Sequence, residues 1–249
     1  NDDRPVCPFC PGEERQTPED LLVFYDAFGS PLVRGFPNRW NVANADPKLS
    51  ADPVFHGPYE IIPSVGAHEV VVDVESHGQK LSDPDLGPMQ AGEVLKAYRD
   101  RILDLRKDER IKYVIIFKNW GPNAGASLEH SHSQLIGMPF VPSEVLFHMS
   151  NSFEFYLNRR EEFYRGNGHG GNGNRKVSSF DDLPWEQKSL IANMLATELE
   201  DKTRVVINND KYVAFEPFAS RFPHEVWIVP KEQQPFFEYS SDDELKDLG

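Results

Sequence analysis

With 249 residues, 26 basic against 40 acidic side chains and 39% hydrophobic residues, the chain carries a formal charge of −14 and has a globular composition, too apolar for a disordered protein. That acidity excludes a protein that coats nucleic acid or an anionic membrane through a basic surface, but it leaves a small anionic substrate open, because a local pocket can oppose the global sign. No run of 18 apolar residues is present to span a membrane, Asn1-Asp2-Asp3-Arg4 is neither a signal nor a transit peptide, and without an initiator Met the sequence reads as a trimmed segment.

The first feature along the chain is Cys7-Pro8-Phe9-Cys10, which holds both cysteines and runs into Pro11-Gly12. A disulfide closing so small a loop would remove little unfolded-state entropy. A redox CxxC opens a helix after a strand, and Pro8 with Pro11-Gly12 opposes that context. Two readings remain: half of a tetrahedral zinc site completed by histidines elsewhere, or a pair of inert thiols. Residues 20–52 alternate short apolar runs with Pro, Gly and Asn, a pattern of strands and loops. Residues 59–62 and 69–74, flanking Pro63 and Gly66, are predicted as a hairpin-like pair. Residues 90–107 form the clearest helix, with Ala91, Leu95, Tyr98, Ile102 and Leu105 at steps of three and four, and Glu93, Lys96, Arg99, Asp100 and Arg106 on a solvated face.

Residues 113–117 and 134–137 are predicted strands, and residues 144–164 and 184–201 predicted helices. Between those helices the glycine-rich tract 166–173 lacks a preceding strand and a Lys-Ser/Thr, so it reads as a mobile loop and not a phosphate loop. Residues 211–230 return to strands. A faint repeat links Tyr59-Glu-Ile-Ile-Pro63 and His68-Glu69-Val70 to Tyr212-Val-Ala-Phe-Glu-Pro217 and His224-Glu225-Val226, with the two His-Glu-Val triplets 156 residues apart. The simplest reading is a duplicated α+β unit whose second copy stops early. Residues 1–150 then form a first unit, and residues 151–249 hold the connecting helices, the glycine tract and the start of a second. The tail from residue 233 is long enough to begin a helix.

Residues 118–134 carry the chemistry. On an extended strand His130, His132 and Gln134 share one face, about 6.5–7 Å apart, and Ser131 and Ser133 share the other. Upstream, the small residues from Gly121 to Ser127 let backbone N–H groups approach an anion closely. A neutral imidazole is a good nucleophile near pH 7, and a phosphohistidine intermediate divides one displacement into two easier ones. The Gln134 amide can donate to a phosphate oxygen but cannot protonate an alkoxide, which favours transfer between phosphate acceptors over hydrolysis. The competing reading is two sheet histidines that bind metal or backbone.

The run from Asn119 to Gln134, with Cys7-Pro-Phe-Cys10 upstream, resembles the galactose-1-phosphate uridylyltransferase family, the nucleotidyl-transferring branch of the histidine-triad superfamily. The similarity covers nearly the whole chain and includes Phe36-Pro37-Asn38-Arg39-Trp40 and the segment from Pro217 to Lys231. It implies an α+β fold of two histidine-triad-like half-units, each an antiparallel sheet with flanking helices, in a cytoplasmic homodimer. Carried over by position, His132 is the nucleophile that accepts the nucleotidyl group and Gln134 binds the α-phosphate. Asn119, Gly125 and Ser127 line the diphosphate, and Asn38 with Trp40 lies against base and ribose. Cys7, Cys10, His77 and His130 bind structural zinc, with no organic cofactor.

Departures from the family pattern bear on specificity. Many uridylyltransferases have proline between the two histidines, where this chain has Ser131, and the string from Ser127 to Leu135 more closely resembles the plant-type ADP-glucose phosphorylases. Of the family's arginines upstream of the CxxC, only Arg4 is present. The expected reaction is exchange of a nucleoside monophosphate between a nucleotide sugar and a sugar 1-phosphate, with UDP-glucose and a hexose 1-phosphate as default. An ADP-sugar or dinucleoside polyphosphate phosphorylase is the alternative, and a non-catalytic zinc-stapled nucleotide-binding domain the third reading. His68 and His224 precede apolar strands and read as structural; His56, His148 and His169 read as surface or loop histidines.

Overall fold

The computed structural model describes residues 6–165 and 179–249. The tract 166–173, with His169, and Arg4 lie outside the described residues. The chain divides into two compact units, one of residues 1–141 with Pro235–Gly249 and the other Pro142–Gln234. The division therefore falls at 141–142 and not at 150–151, and the C-terminal segment joins the first unit.

The first unit is built on a five-stranded antiparallel sheet of β1 (Leu22–Tyr25), β2 (Pro31–Pro37), β5 (Ala67–Val72), β6 (Tyr113–Phe117) and β7 (His132–Met138), in the order β1-β2-β5-β7-β6. The short strands β3 (Val54–His56) and β4 (Tyr59–Ile61) pair with each other, so residues 59–62 do not form a hairpin with residues 69–74; β5 pairs with β2 and β7 instead. The β-branched run Val70-Val71-Val72 suits this central position, buried on both faces. Gly66 leads into β5 at φ +145°, where a Cβ would stand 2.0 Å from the carbonyl oxygen of Gly137, so no other residue permits that approach of backbones.

Helix α1 (Gly87–Leu105) covers one face of the sheet. Alternation along the strands sends Val33, Val71 and Leu135 toward it, where they pack with Val94 and Ala97. The buried residues of α1 are Gln90, Gly92, Val94, Ala97, Arg101, Ile102 and Leu105; Ile102 and Leu105 belong to the expected stripe and Tyr98 packs partly buried against the core, whereas Ala91 and Leu95 give way to Gln90 and Val94. The polar members can be buried because they have partners. The Gln90 amide donates to the carbonyls of Leu32 and Asp73, and Arg101 makes two 2.7 Å bonds to Glu69 on β5. Of the face expected to be solvated, Arg99 pairs with Asp242 of α5 (Asp242–Leu248) and Arg106 with Glu238. Ser241 opens α5 with a capping box to Glu244.

In the second unit β8 (Val205–Asn208), β9 (Tyr212–Phe215) and β10 (Trp227–Pro230) form a sheet in the order β10-β9-β8. Helix α4 (Leu190–Asp201) contributes Leu195 to a core with Val213, Phe215 and Val229. Ser189 caps α4, which separates it from the single turn α3 (Trp185–Lys188) and breaks the expected helix of residues 184–201 in two. Helix α2 (Ser143–Arg165) meets the predicted span, and its Phe163 packs on Phe180 and Leu183. The topology revises the repeat. Strands β8-β9-β10 are ordered as β1-β2-β5 are, so Tyr212–Phe215 corresponds to β2 and not to residues 59–63, and the first His-Glu-Val triplet lies within β5 whereas the second, residues 224–226, precedes β10, with His224 at φ +64°. The chain is thus α+β with antiparallel sheets. Among the described residues no helix is long and apolar enough to cross a membrane.

The Arg101–Glu69 pair is shielded on both sides, with side chains 7% and 4% exposed. Glu69→Ala leaves a buried guanidinium without its carboxylate and is expected to cost about 3–5 kcal/mol in urea denaturation. Glu69→Leu with Arg101→Met removes both charges and is expected to recover most of that loss.

Candidate functional site

The other face of the same sheet builds the site. With Val72 opposite His132 and Val70 opposite Gln134, alternation puts both polar side chains on the side away from α1, beside Phe36 of β2. They line a cavity of about 300 Å³, whose walls come from the cysteine knuckle (Pro8 and Phe9), residues 16–18, residues 38–40, and Ser127 with Leu128. That volume lies at the small end of small-molecule sites. Despite the chain's charge of −14, no carboxylate stands among the lining residues described, and Arg39 does. Arg39 donates to the Gln16 carbonyl at 3.0 Å, tying two walls together. Trp40 stands 79% exposed at the rim.

His132 is 7% exposed, and its Nδ1 lies 2.8 Å from the carbonyl oxygen of His130. Since a carbonyl only accepts, Nδ1 carries a proton, and in the neutral ring the lone pair is then on Nε2. Phe9 packs edge-on against this ring with centroids 5.3 Å apart, and against Phe36 at 5.5 Å.

His130 is fully buried but sits on the bend before β7, not on the strand as expected; β7 begins at His132. Its Nε2 donates to the Val74 carbonyl at 2.9 Å, which directs Nδ1 to the cysteine sulfurs at 3.9 Å (Cys7) and 3.7 Å (Cys10). His77 places Nδ1 3.6 Å from Cys10 Sγ and Nε2 3.8 Å from the Glu129 carboxylate. The four donor atoms of Cys7, Cys10, His77 and His130 lie within 4.8 Å of one another. A tetrahedral ion with bonds of about 2.3 Å to sulfur and about 2.0 Å to nitrogen separates neighbouring S and N donors by about 3.6 Å, so the cluster fits such an ion with little movement. Burial holds the His130 imidazole below its ordinary pKa, which keeps its lone pair available, while burial and the Cys7 sulfur push the Cys10 thiol up. A bound cation reverses the latter penalty.

Behind β7 lies a buried polar network. Asp73 is wholly enclosed and accepts from Ser133 at 3.0 Å, from Ser131 at 3.3 Å and from Lys118 Nζ, which also reaches Ser131 at 2.7 Å. Tyr98 of α1 donates to Ser133 Oγ, and burial together with the Asp73 charge raises its phenol pKa. The two serines between and after the histidines thus anchor the strand from its reverse side.

Of the residues singled out from sequence, the structure gathers His132, Gln134, Asn38, Trp40 and Ser127 around the cavity, and Cys7, Cys10, His77 and His130 in the donor cluster. Asn119 and Gly125 are not among the cavity-lining residues; Gly125 ends a single 3-10 turn, Pro122–Ala124, in the left-handed region at φ +83°. Sequence reasoning missed Phe9 and Arg39 as wall residues, although both lie inside quoted motifs. It also missed His68, which is buried and whose Nε2 lies 2.9 Å from Gln134 Oε1.

A family model described as the N-terminal domain of a domain of unknown function (DUF4931) matches residues 67–141, from β5 through β7. The chain is 28% identical to an ADP-glucose phosphorylase of Arabidopsis thaliana over 98% of its own length and 60% of that protein. It is 29% identical to a galactose-1-phosphate uridylyltransferase of Thermotoga maritima over 98% of its length and 63% of that protein. Among solved structures, an Arabidopsis thaliana ADP-glucose phosphorylase with bound ADP-glucose aligns at a TM-score of 0.71 and 25% identity, covering all of this chain and 66% of that one. A structure described as a uridylyltransferase aligns at 0.72 and 29% identity, covering 98% and 65%. The chain therefore spans about three fifths of the length of these two curated relatives, and over that span it resembles the galactose-1-phosphate uridylyltransferase family, its ADP-glucose phosphorylases included, in both sequence and fold.

Proposed function

We propose that the chain carries the nucleotidyl-accepting site of a nucleotidyltransferase that exchanges a nucleoside monophosphate between a nucleotide sugar and a second phosphate. The observation that carries this reading is the state of His132: with Nδ1–H held by the His130 carbonyl at 2.8 Å, the Nε2 lone pair remains for a cavity that holds no carboxylate among its described lining residues. His132 Nε2 attacks the α-phosphorus, the bond from that phosphorus to the bridging oxygen breaks, and a sugar 1-phosphate leaves with the electron pair. No acid is needed, because a phosphate leaves as a stable anion. The imidazolium that forms keeps its Nδ1–H on the His130 carbonyl, whose negative end stabilises the positive ring. Gln134 donates to a non-bridging oxygen, and Asn38 with Trp40 receives base and ribose. An incoming phosphate then attacks the same phosphorus, the P–N bond breaks, and the lone pair returns to Nε2.

UDP-glucose with a hexose 1-phosphate is the first assignment. Ser131 between the histidines and the match to ADP-glucose phosphorylase support a second, in which ADP-glucose donates and inorganic phosphate accepts. Cys7, Cys10, His77 and His130 would hold zinc. Four protein donors leave no open coordination position, so the ion would clamp the approach to β7 instead of acting as a Lewis acid.

Brief exposure to UDP-glucose or ADP-glucose, followed by intact-mass spectrometry, is expected to show a uridylyl or adenylyl gain with one donor. His132→Gly is expected to abolish that gain at unchanged zinc content, and an undiminished adduct in the variant would refute the nucleophile. Purified protein is expected to contain equimolar zinc. Cys7→Ala or His77→Ala should lose most of it and lower the melting temperature, and an unchanged ratio in metal analysis would count against the clamp.

A further inference from the structure

Gln134 must present its N–H2, and not its carbonyl oxygen, to bind a phosphate, and an amide turned by 180° would repel one. The hydrogen-bond network around it settles which end faces the cavity. The Trp40 backbone N–H lies 2.9 Å from Asn38 Oδ1, so the Asn38 oxygen accepts there and its Nδ2 is turned the other way, 3.4 Å from Gln134 Oε1. The Val42 backbone N–H points at His68 Nδ1, 3.4 Å away, so that nitrogen is the acceptor of the ring. A neutral imidazole with an accepting Nδ1 carries its proton on Nε2. His68 Nε2 lies 2.9 Å from Gln134 Oε1 and can only donate to it. The 3.1 Å approach of Asn38 Nδ2 to the same ring nitrogen then joins two donors that converge on one oxygen, and is not a bond between them. With both lone pairs of Oε1 engaged, the Gln134 N–H2 is the end left for the cavity.

We propose that His68 is a positioning residue for nucleotidyl transfer: buried beside Gln134, it locks the glutamine amide in the orientation that donates to the α-phosphate. The proposal rests on the nucleotidyl-transfer reading above for its consequence, but the orientation itself is a property of the unliganded protein. His68 does not touch substrate. It passes to Gln134 a direction set by backbone N–H groups of residues 40 and 42, the same loop whose Trp40 stands at the rim. A wrongly turned amide would replace a donor with an acceptor at the developing charge, and loss of one such donor costs about 100-fold in rate.

Two measurements test it. Long-range 1H–15N spectra of the full chain are expected to show His68 as the neutral Nε2–H tautomer; an Nδ1–H tautomer overturns the proposal, whatever the activity. Adduct formation on His132 with UDP-glucose or ADP-glucose, whichever labels the parent, is followed in a double-mutant cycle of His68→Leu and Gln134→Ala. Gln134→Ala is expected to slow labelling about 100-fold and His68→Leu by at least about 10-fold, with the double variant no slower than Gln134→Ala alone. His68→Gln, which keeps an N–H donor, is expected to recover part of the loss. Additive losses, or His68→Leu labelling at the parent rate, overturn the proposal. A parent that labels with neither donor refutes the nucleotidyl-transfer reading and the role in it, while the tautomer still decides how the amide is held.

Discussion

Everything at the site depends on the register of β5 against β7. With Val72 opposite His132, the two central strands share their side chains between a helix face and a cavity face. A slip of one residue would turn Ser133 and Leu135 into the cavity and drive His132 and Gln134 against α1. The register is held from both sides. On the helix face Val71 and Leu135 fill the core under Val94 and Ala97, Glu69 is pinned by Arg101, and Asp73 takes the Ser133 hydroxyl. At the strand end Gly66 and Gly137 approach too closely for any side chain. None of these contacts involves the imidazole of His132, and each is lost if the pairing shifts.

The donor cluster extends the same logic to the backbone before the strand. His130 is held through Nε2 by Val74 and faces both cysteines through Nδ1, while its carbonyl fixes the tautomer of His132. The residue whose ring belongs to the donor cluster is thereby the residue whose carbonyl sets the tautomer of His132. Phe9 connects the two from the other side: set between Cys7 and Cys10, it packs on the rings of both His130 and His132. The cysteine knuckle is therefore part of the cavity wall as well as half of the donor set.

What the sequence revealed was what local spacing encodes. The CxxC and His-x-His-x-Gln motifs identified the donor cluster and the reactive strand, because their chemistry demands fixed residue types at short range, and β6 and most of β7 followed from apolar runs. Less legible were features whose cause lies far along the chain. Gln90 and Arg101 have no place in the expected apolar stripe, because the carbonyl and carboxylate partners that allow their burial are elsewhere in the chain. Residues 59–61 are the exception, since their partner β3 lies just across the two-residue turn Gly57-Pro58, a local signal that the longer apolar run of residues 69–74 outweighed. His68 read as structural because the atoms that orient it belong to residues 42 and 134. The stripe of α1 shifted for the same reason: periodicity counts apolar side chains, whereas burial counts satisfied ones.

The cavity draws its walls from the knuckle near residue 8 and from a strand that begins at residue 132, joined through β2 and β5. Contacts of such long sequence separation form only after the intervening loops have been closed, which slows folding. A nascent chain that has emerged as far as α1 already holds both cysteines and three of the five strands of the sheet, yet it has neither His130 nor His132. The His132 ring is consequently delivered late within its unit, and a product arrested before β7 would hold the cysteines of the donor cluster without the ring that lines the cavity.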